Sequence, residues 1–427
     1  MRPSKKGWIS DYIKWFLNLQ NQQNSHGHDY NKFIHLNHDK KLYKMVQPTG
    51  LMYGHPVSTS GKNVSSFSRW NEQEKMKFVL LDSLVHDALL LHANEIHNQQ
   101  DLQDCIHDTM NSLDVFYSDI LTKKRSFSIR SKSTTEKVEL ILNQRIGLKT
   151  TWSKEFWNSF FQNSLLFLDV YFFGQWLQEK SAHADFTKYH EQQENLRLDI
   201  LKIIAIAAKS NHIIEEEEKA LFSFFLQSAM LTKQNERIAK KYLSSNISLD
   251  DIDFSGNDSW IIRKYILELA ILTVWADRQL EEIEKQFIHQ FADKLNISQN
   301  DVESSLLAIE SFVITNWDQV HFLQSKHNLL IIKDRFSKRI SRILHKNKKA
   351  IVQEMNESKE LMVLLHKMTK EALSEDEKSK VKAQLFDIVK TLPTFVIVAL
   401  PGTFITLPLL LNVLPKKAFP SAFSSID

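Results

Sequence analysis

From Phe67 to about Asp119 the apolar residues recur at steps of three and four: Phe78, Leu81, Val85, Ala88 and Leu89, then Ile106, Met110 and Leu113. That spacing puts them on one side of a helix, so the stretch predicts packed helices. Further helices are predicted near 136–146 and 152–179. The second of these is dense in aromatics, among them Trp152, Phe156, Trp157, Phe160, Phe161, Phe167, Phe172, Phe173 and Trp176. Aromatics at helical spacing bury much area per residue and read as core rather than as a cofactor pocket. At the front of the chain Trp8, Tyr12 and Trp15/Phe16 share one helical face, and Asp11 and Lys14 break the apolar core that a signal peptide needs. Such a face docks on its own protein or, in the alternative, lies on a membrane surface. Residues 21–65 are rich in Asn, Gln, His, Gly and Ser and predict a long polar loop.

Punctuation extends this reading to the whole middle of the chain. From Lys62 through Leu392 there is no proline, and Gly147, Gly174 and Gly256 are the glycines of those 331 residues. Average usage would place about 17 prolines and 23 glycines there. Sheets need turns, and turns draw on both residues, so the stretch predicts helix after helix and an all-α fold of multi-helical bundles. The net charge of +3 over 427 residues gives no global reason to expect nucleic acid. Cys105, the one cysteine, excludes an internal disulfide and a Cys-rich zinc site. GxxxxGKS, GxGxxG, HExxH, GxSxG and CxxC are absent, so no enzyme is expected. The 17 histidines do not converge on a metal; the nearest grouping, Asp104, His107 and Asp108 on one helix face, reads as a solvated polar face.

Two segments look alike. ILKIIAIAAKSNHIIEEEEKALFSFFLQ begins at Ile200, and ILELAILTVWADRQLEEIEKQFIHQFAD begins at Ile266. Asp277, Leu280 and Glu284 of the second have Ser210, Ile213 and Glu217 as counterparts 67 positions earlier. An acid in the turn caps the following helix, and acids in its first turn complement the helix dipole. The pattern resembles the TerB-like domains of tellurite-resistance and related proteins over about residues 195–310. That resemblance implies two hairpins packed as a small bundle, with turn acids associated with metal. It makes Asp277, Glu284 and Glu217 a candidate divalent-cation site, the sole cofactor candidate in the chain. The family's Asp-Gly turn is here Asp277-Arg278 and Ser210-Asn211.

Charge becomes informative locally. KDRFSKRISRILHKNKK, residues 333–349, carries eight Lys/Arg and one acid. Leu329, Ile332, Phe336, Ile340 and Ile343 fall on one helical face, while Lys333, Arg335, Lys338, Arg339, Arg342 and Lys346 make the remainder basic. A basic amphipathic helix of this kind either leaves its charges solvated or lies on anionic lipid. Nucleic acid is the weakest reading, since aromatic interleaving is sparse. Downstream, Leu392–Pro415 is a run of 24 residues without a charge, flanked by Lys390 and by Lys416/Lys417. As a helix it would reach about 36 Å, against a hydrocarbon core of ~30 Å. Pro393, Pro401, Pro408 and Pro415 interrupt it, which predicts a kinked span, a re-entrant hairpin or an element covered by a partner.

Residues 371–423 resemble the membrane segment and preceding helix of the LETM family, especially its bacterial relatives. Lys390-Thr391-x-Pro393, Leu400-Pro401-Gly402, Leu407-Pro408, Leu414-Pro415 and Pro420-Ser421-Ala422-Phe423 carry the likeness. With the TerB-like middle, the chain is similar to the LETM-related, biofilm-associated proteins of bacteria. The likeness marks Pro393, Pro401, Gly402, Pro408, Pro415, Pro420 and Phe423 as membrane-segment residues. It implies a protein of the bacterial inner membrane with the bulk of the chain cytoplasmic. Partners would be membrane lipids, with a homo-oligomer or a membrane protein besides. Mitochondrial LETM proteins are implicated in cation/proton exchange and carry an acid three residues after the Pro401 position, where this chain has Phe404. An ion path normally needs such a group, so a membrane-associated interaction or regulatory role ranks ahead of a component of cation/proton transport. The expected organisation is an amphipathic helix and loop over 1–65, a helical domain over 66–190, the TerB-like domain over 191–310, a helical linker over 311–390, and the membrane segment with a short tail over 391–427.

Overall fold

Helices form where apolar spacing and capping residues agree. The computed structural model describes residues 1–23, 36–59, 64–117, 132–146, 163–179, 186–209, 216–229, 231–252, 259–275, 282–316, 326–368 and 370–398. Among the described residues there are helices and turns and no strand, so the fold is all-α. The chain divides into two compact units, Met1–Leu295 and Asn296–Asp427.

The first unit contains α1 (Trp8–Gln23), α2 (His38–Val46), α3 (Glu72–Leu91), α4 (Gln99–Phe116), α5 (Thr134–Ile146) and α6 (Phe167–Glu179). It continues with α7 (Phe186–Ala207), α8 (Glu216–Ala229), α9 (Lys233–Ala239), α10 (Trp260–Trp275) and α11 (Glu282–Lys294). Its centre is α3, in which every residue from Phe78 to Leu89 is buried. A helix enclosed on all sides must lie between others, and α2, α4, α5 and α6 all pack on it. A capping box, Asn71 with Glu74, fixes where it starts.

The aromatic face of α1 docks on its own protein. Trp8, Tyr12 and Phe16 are buried, and the Tyr12 ring meets Phe78 edge-on at 5.5 Å. Glu139 of α5 accepts hydrogen bonds from the free amides of Gly7 and Ile9, each at 3.2 Å, and so caps α1 from another helix. The described part of the aromatic stripe is also core, with Phe167, Phe172, Phe173 and Trp176 buried; residues 152–162 lie outside the described residues. The two similar segments fold as hairpins, α7 with α8 and α10 with α11, and α7 packs on α10.

Residues 36–59 are not part of the long loop that the polar composition of 21–65 predicts; residues 24–35 and 60–63 lie outside the described residues. Within them Asn37 accepts a hydrogen bond from the Lys40 amide and starts α2, which buries Leu42, Tyr43 and Val46. Two short 3-10 turns follow, Gln47–Thr49 and Leu51–Tyr53, each closed by a glycine at positive φ, Gly50 at 83° and Gly54 at 71°. Leu51, Met52 and Tyr53 are fully buried. Clusters of Gly and Asn also serve as caps, and here they bound short core elements.

The second unit contains α12 (Gln299–Thr315), α13 (Lys326–Lys346), α14 (Lys348–Glu357), α15 (Lys359–Met368), α16 (Glu375–Thr391) and α17 (Pro393–Ile397). α12 is largely interior, with Val302, Leu306, Leu307, Ile309, Phe312 and Val313 buried. It packs on α13 and α17, while α14, α15 and α17 pack on α16.

Candidate functional site

The basic helix and the start of the uncharged run both belong to the second unit. α13 buries Ile332, Phe336, Ile340, Ile343 and Leu344, so its apolar face is committed to protein. At roughly 1.5–3 kcal/mol per large apolar side chain, that burial seats the helix firmly. The basic residues then divide by what they touch.

Arg339 turns inward. Its guanidinium binds Glu310 of α12 in a two-point contact, Nε to Oε2 at 2.9 Å and Nη2 to Oε1 at 3.1 Å, and reaches Glu303 at 2.7 Å. Only 13% of the Arg339 side chain is exposed and none of Glu310. Burial raises the Glu310 carboxyl above its usual range, against the pull of Arg339. Arg339 is therefore a buried interhelical tie, not a member of an outer face.

Lys333, Lys338, Arg342, Lys346 and Lys349 are exposed and Arg335 is half-buried. Lys338 is 71% exposed and pairs with Asp334 at 2.7 Å. Arg342, 67% exposed, lies 3.3 Å from Glu303. Lys346 donates to Asn300 at 2.8 Å. Pairs this exposed are screened and contribute at most about 1 kcal/mol each, so they do not fix the side chains in place. Two large apolar residues on the same helix face solvent, Leu330 at 65% and Ile331 at 37%.

The run begins inside protein. α16 starts at a capping box of Ser374 with Glu377, and Lys367 of α15 together with the Ser374 amide lowers the Glu377 carboxyl to about 2. α16 ends at Thr391 with Leu392 as its C-cap, and Pro393, exposed, opens α17, where its missing N–H costs nothing. Leu392, Phe395 and Val398 are buried, and α17 packs on α12 and α16. The start of the run is thus built into the bundle through Leu392, Phe395 and Val398. Pro401, Gly402, Pro408, Pro415, Pro420 and Phe423 lie outside the described residues. Among the described residues no helix is long and apolar enough to cross a membrane.

The candidate cation site is not assembled by what is described. Asp277 lies outside the described residues, and for Glu217 and Glu284 only the backbone is described, in α8 and α11. Among the described residues no group of three His, Cys, Asp or Glu side chains could hold a metal ion, the set Asp104, His107 and Asp108 included.

Family models, curated proteins and solved structures all gave no match.

The strongest electrostatics lies elsewhere, in buried networks of the first unit. Asp169 of α6 accepts five hydrogen bonds: from Tyr117 at 2.9 Å, from Arg145 through two nitrogens, from Gln193 at 3.1 Å and from Arg197 at 2.9 Å. Burial raises its carboxyl, but Arg145 and Arg197 outweigh burial and hold it below the usual range. With two guanidinium groups on one carboxylate, burial and Arg145 push Arg197 down to about 10. Glu268 of α10 accepts from Tyr43 at 2.6 Å and Tyr53 at 2.8 Å, with Lys264 at 3.5 Å. His38 pairs with Asp87 at 2.8 Å. One signal marks these acids in the chain: Asp169 in LLFLDVYFF and Glu268 in YILELAIL each stand alone in an apolar stretch, as Glu310 does in LLAIESFV.

Proposed function

We propose that this is a membrane-associated, non-enzymatic helical protein that acts as an interaction or regulatory module, of the kind that its likeness to the LETM-related, biofilm-associated proteins implies. One observation carries the reading: an uncharged run of 24 residues, flanked by lysines, follows α16 in the sequence, and α13 of the same unit displays a lysine- and arginine-rich outer face. Uncharged apolar length favours lipid, and basic residues beside it are attracted to an anionic leaflet. The buried ionic networks of the described residues join helices to one another.

Fractionation of cells expressing the whole chain tests this reading, with membranes washed in high salt and then in alkaline carbonate. Retention in the membrane through both washes is the expected result. Release by high salt alone would show that charge holds the protein and that the run is covered by protein. Recovery in the soluble fraction from the start would sink the proposal.

A further inference from the structure

We propose that the second unit meets an anionic bilayer from one side as a surface platform, with the cationic outer face of α13 on the lipid headgroups and Leu392–Val398 retained in protein. The inference rests on the membrane reading above and specifies the partner and the mode of attachment.

Charge complementarity names the partner. Lys333, Lys338, Arg342 and Lys346 of α13 and Lys349 of α14 are exposed, and Asp334 is the one acid of α13. The acids of α12 that approach α13 do not cancel this face. Glu310 is buried under Arg339, and Glu303 lies between Arg339 and Arg342. The Lys338–Asp334 pair is solvent-exposed on both sides and is free to rearrange beside phosphate. Leu330 and Ile331, one turn before the cationic stretch, are large apolar side chains left in water, which suits the boundary between headgroups and acyl chains.

Burial sets the depth. Leu392, Phe395 and Val398 fill space against α12 and α16, so moving them into lipid would empty a packed site and gain no new burial. The 17 uncharged residues that follow in the sequence, Ala399–Pro415, lie outside the described residues, and the platform rests on α13 and Leu392–Val398.

The test uses the full chain and phosphatidylcholine vesicles with or without phosphatidylglycerol, read by co-flotation. Binding to the anionic vesicles should be at least about tenfold tighter, since each basic residue near such a surface adds severalfold. The triple variant Lys338→Gln, Arg342→Gln, Lys346→Gln should lose that preference, and Leu330→Glu should weaken binding further. In a Thr394→Cys chain, a hydrophilic maleimide should label the bound and free forms at the same rate. Natural Cys105 gives a slow background, because burial pushes its thiol up to about 11. Equal binding to both vesicles, unchanged in the triple variant, or protection of Thr394→Cys on binding would overturn this inference and leave the membrane reading standing. Binding to neither vesicle would remove both.

Discussion

Asp169, Glu268 and Glu310 are single acids within apolar helical stretches, and each draws donors from other helices. A buried carboxylate is tolerable only when so supplied, which makes its partners structural. Replacing Asp169 by Ala would leave Arg145 and Arg197 uncompensated and should cost ~3–5 kcal/mol in urea unfolding. The Asp169 carboxyl is lowered from 3.8 in the fold, so its stabilisation is complete above that value and is lost as pH falls through the lower folded one. His38 behaves oppositely. Burial opposes its charge, but Asp87 outweighs burial and raises the imidazole above 6.5. The contribution of this pair is full below about 6.5 and is lost as pH rises through the folded value; Asp87, itself raised by burial, changes stability in the same direction. His38→Gln should flatten the stability profile above pH 6.5, and an unchanged profile would show that the pair is inert. Gly174 supplies a separate steric check, since a Cβ there would stand 2.2 Å from the Asp87 Oδ2. Gly174→Ala should therefore destabilise the first unit by about 1–3 kcal/mol, measured by thermal unfolding.

At the level of elements, α13 shows which part of a helix the sequence can disclose. Its apolar positions Ile332, Phe336, Ile340 and Ile343 follow the 3.6-residue period and are all buried. Arg339 sits at the edge of that stripe, and only the position of Glu310 on α12, 29 residues away, decides that it turns inward. Helical spacing cannot contain that information, because it belongs to the pairing of two helices. The loss of α2 within a polar stretch has a different cause: a nine-residue helix offers two turns of pattern, and its caps resemble loop residues. By contrast α3 and α10 are legible, because depletion of Gly and Pro and runs of apolar residues point to the same fold, whereas the helix expected over 152–179 is, where described, a 3-10 turn over Ser164–Leu166 followed by α6. The division of α13 has a measurable consequence. Arg339→Ala should cost ~3–5 kcal/mol by stranding Glu310. Arg342→Ala, at an exposed pair, should cost under about 1 kcal/mol. Replacing Arg339 and Glu310 together with Leu should recover most of the loss. Equal costs for the two single changes would contradict the inward tie.

For the whole molecule, the boundary between bundle and uncharged run falls inside the run itself. Its pattern, an uncharged stretch after Lys390, suggests a cut at Lys390, but Leu392, Phe395 and Val398 are core residues of the second unit. Removing three buried large apolar side chains forfeits about 1.5–3 kcal/mol each and uncovers the faces of α12 and α16 that α17 occupies. A chain ending at Lys390 should therefore unfold its second unit at markedly lower urea and expose apolar surface to a hydrophobic dye. A chain ending at Val398 keeps these three side chains and should unfold its second unit at clearly higher urea than the chain ending at Lys390. The distinction governs how membrane attachment is read. The shorter chain can sediment with membranes because its uncovered surface is sticky, and solubility after the longer truncation reports on residues 399–427 alone. If the two truncations prove equally stable, α17 contributes nothing to the bundle, and the seat of Leu392–Val398 against α12 and α16 is not maintained in solution.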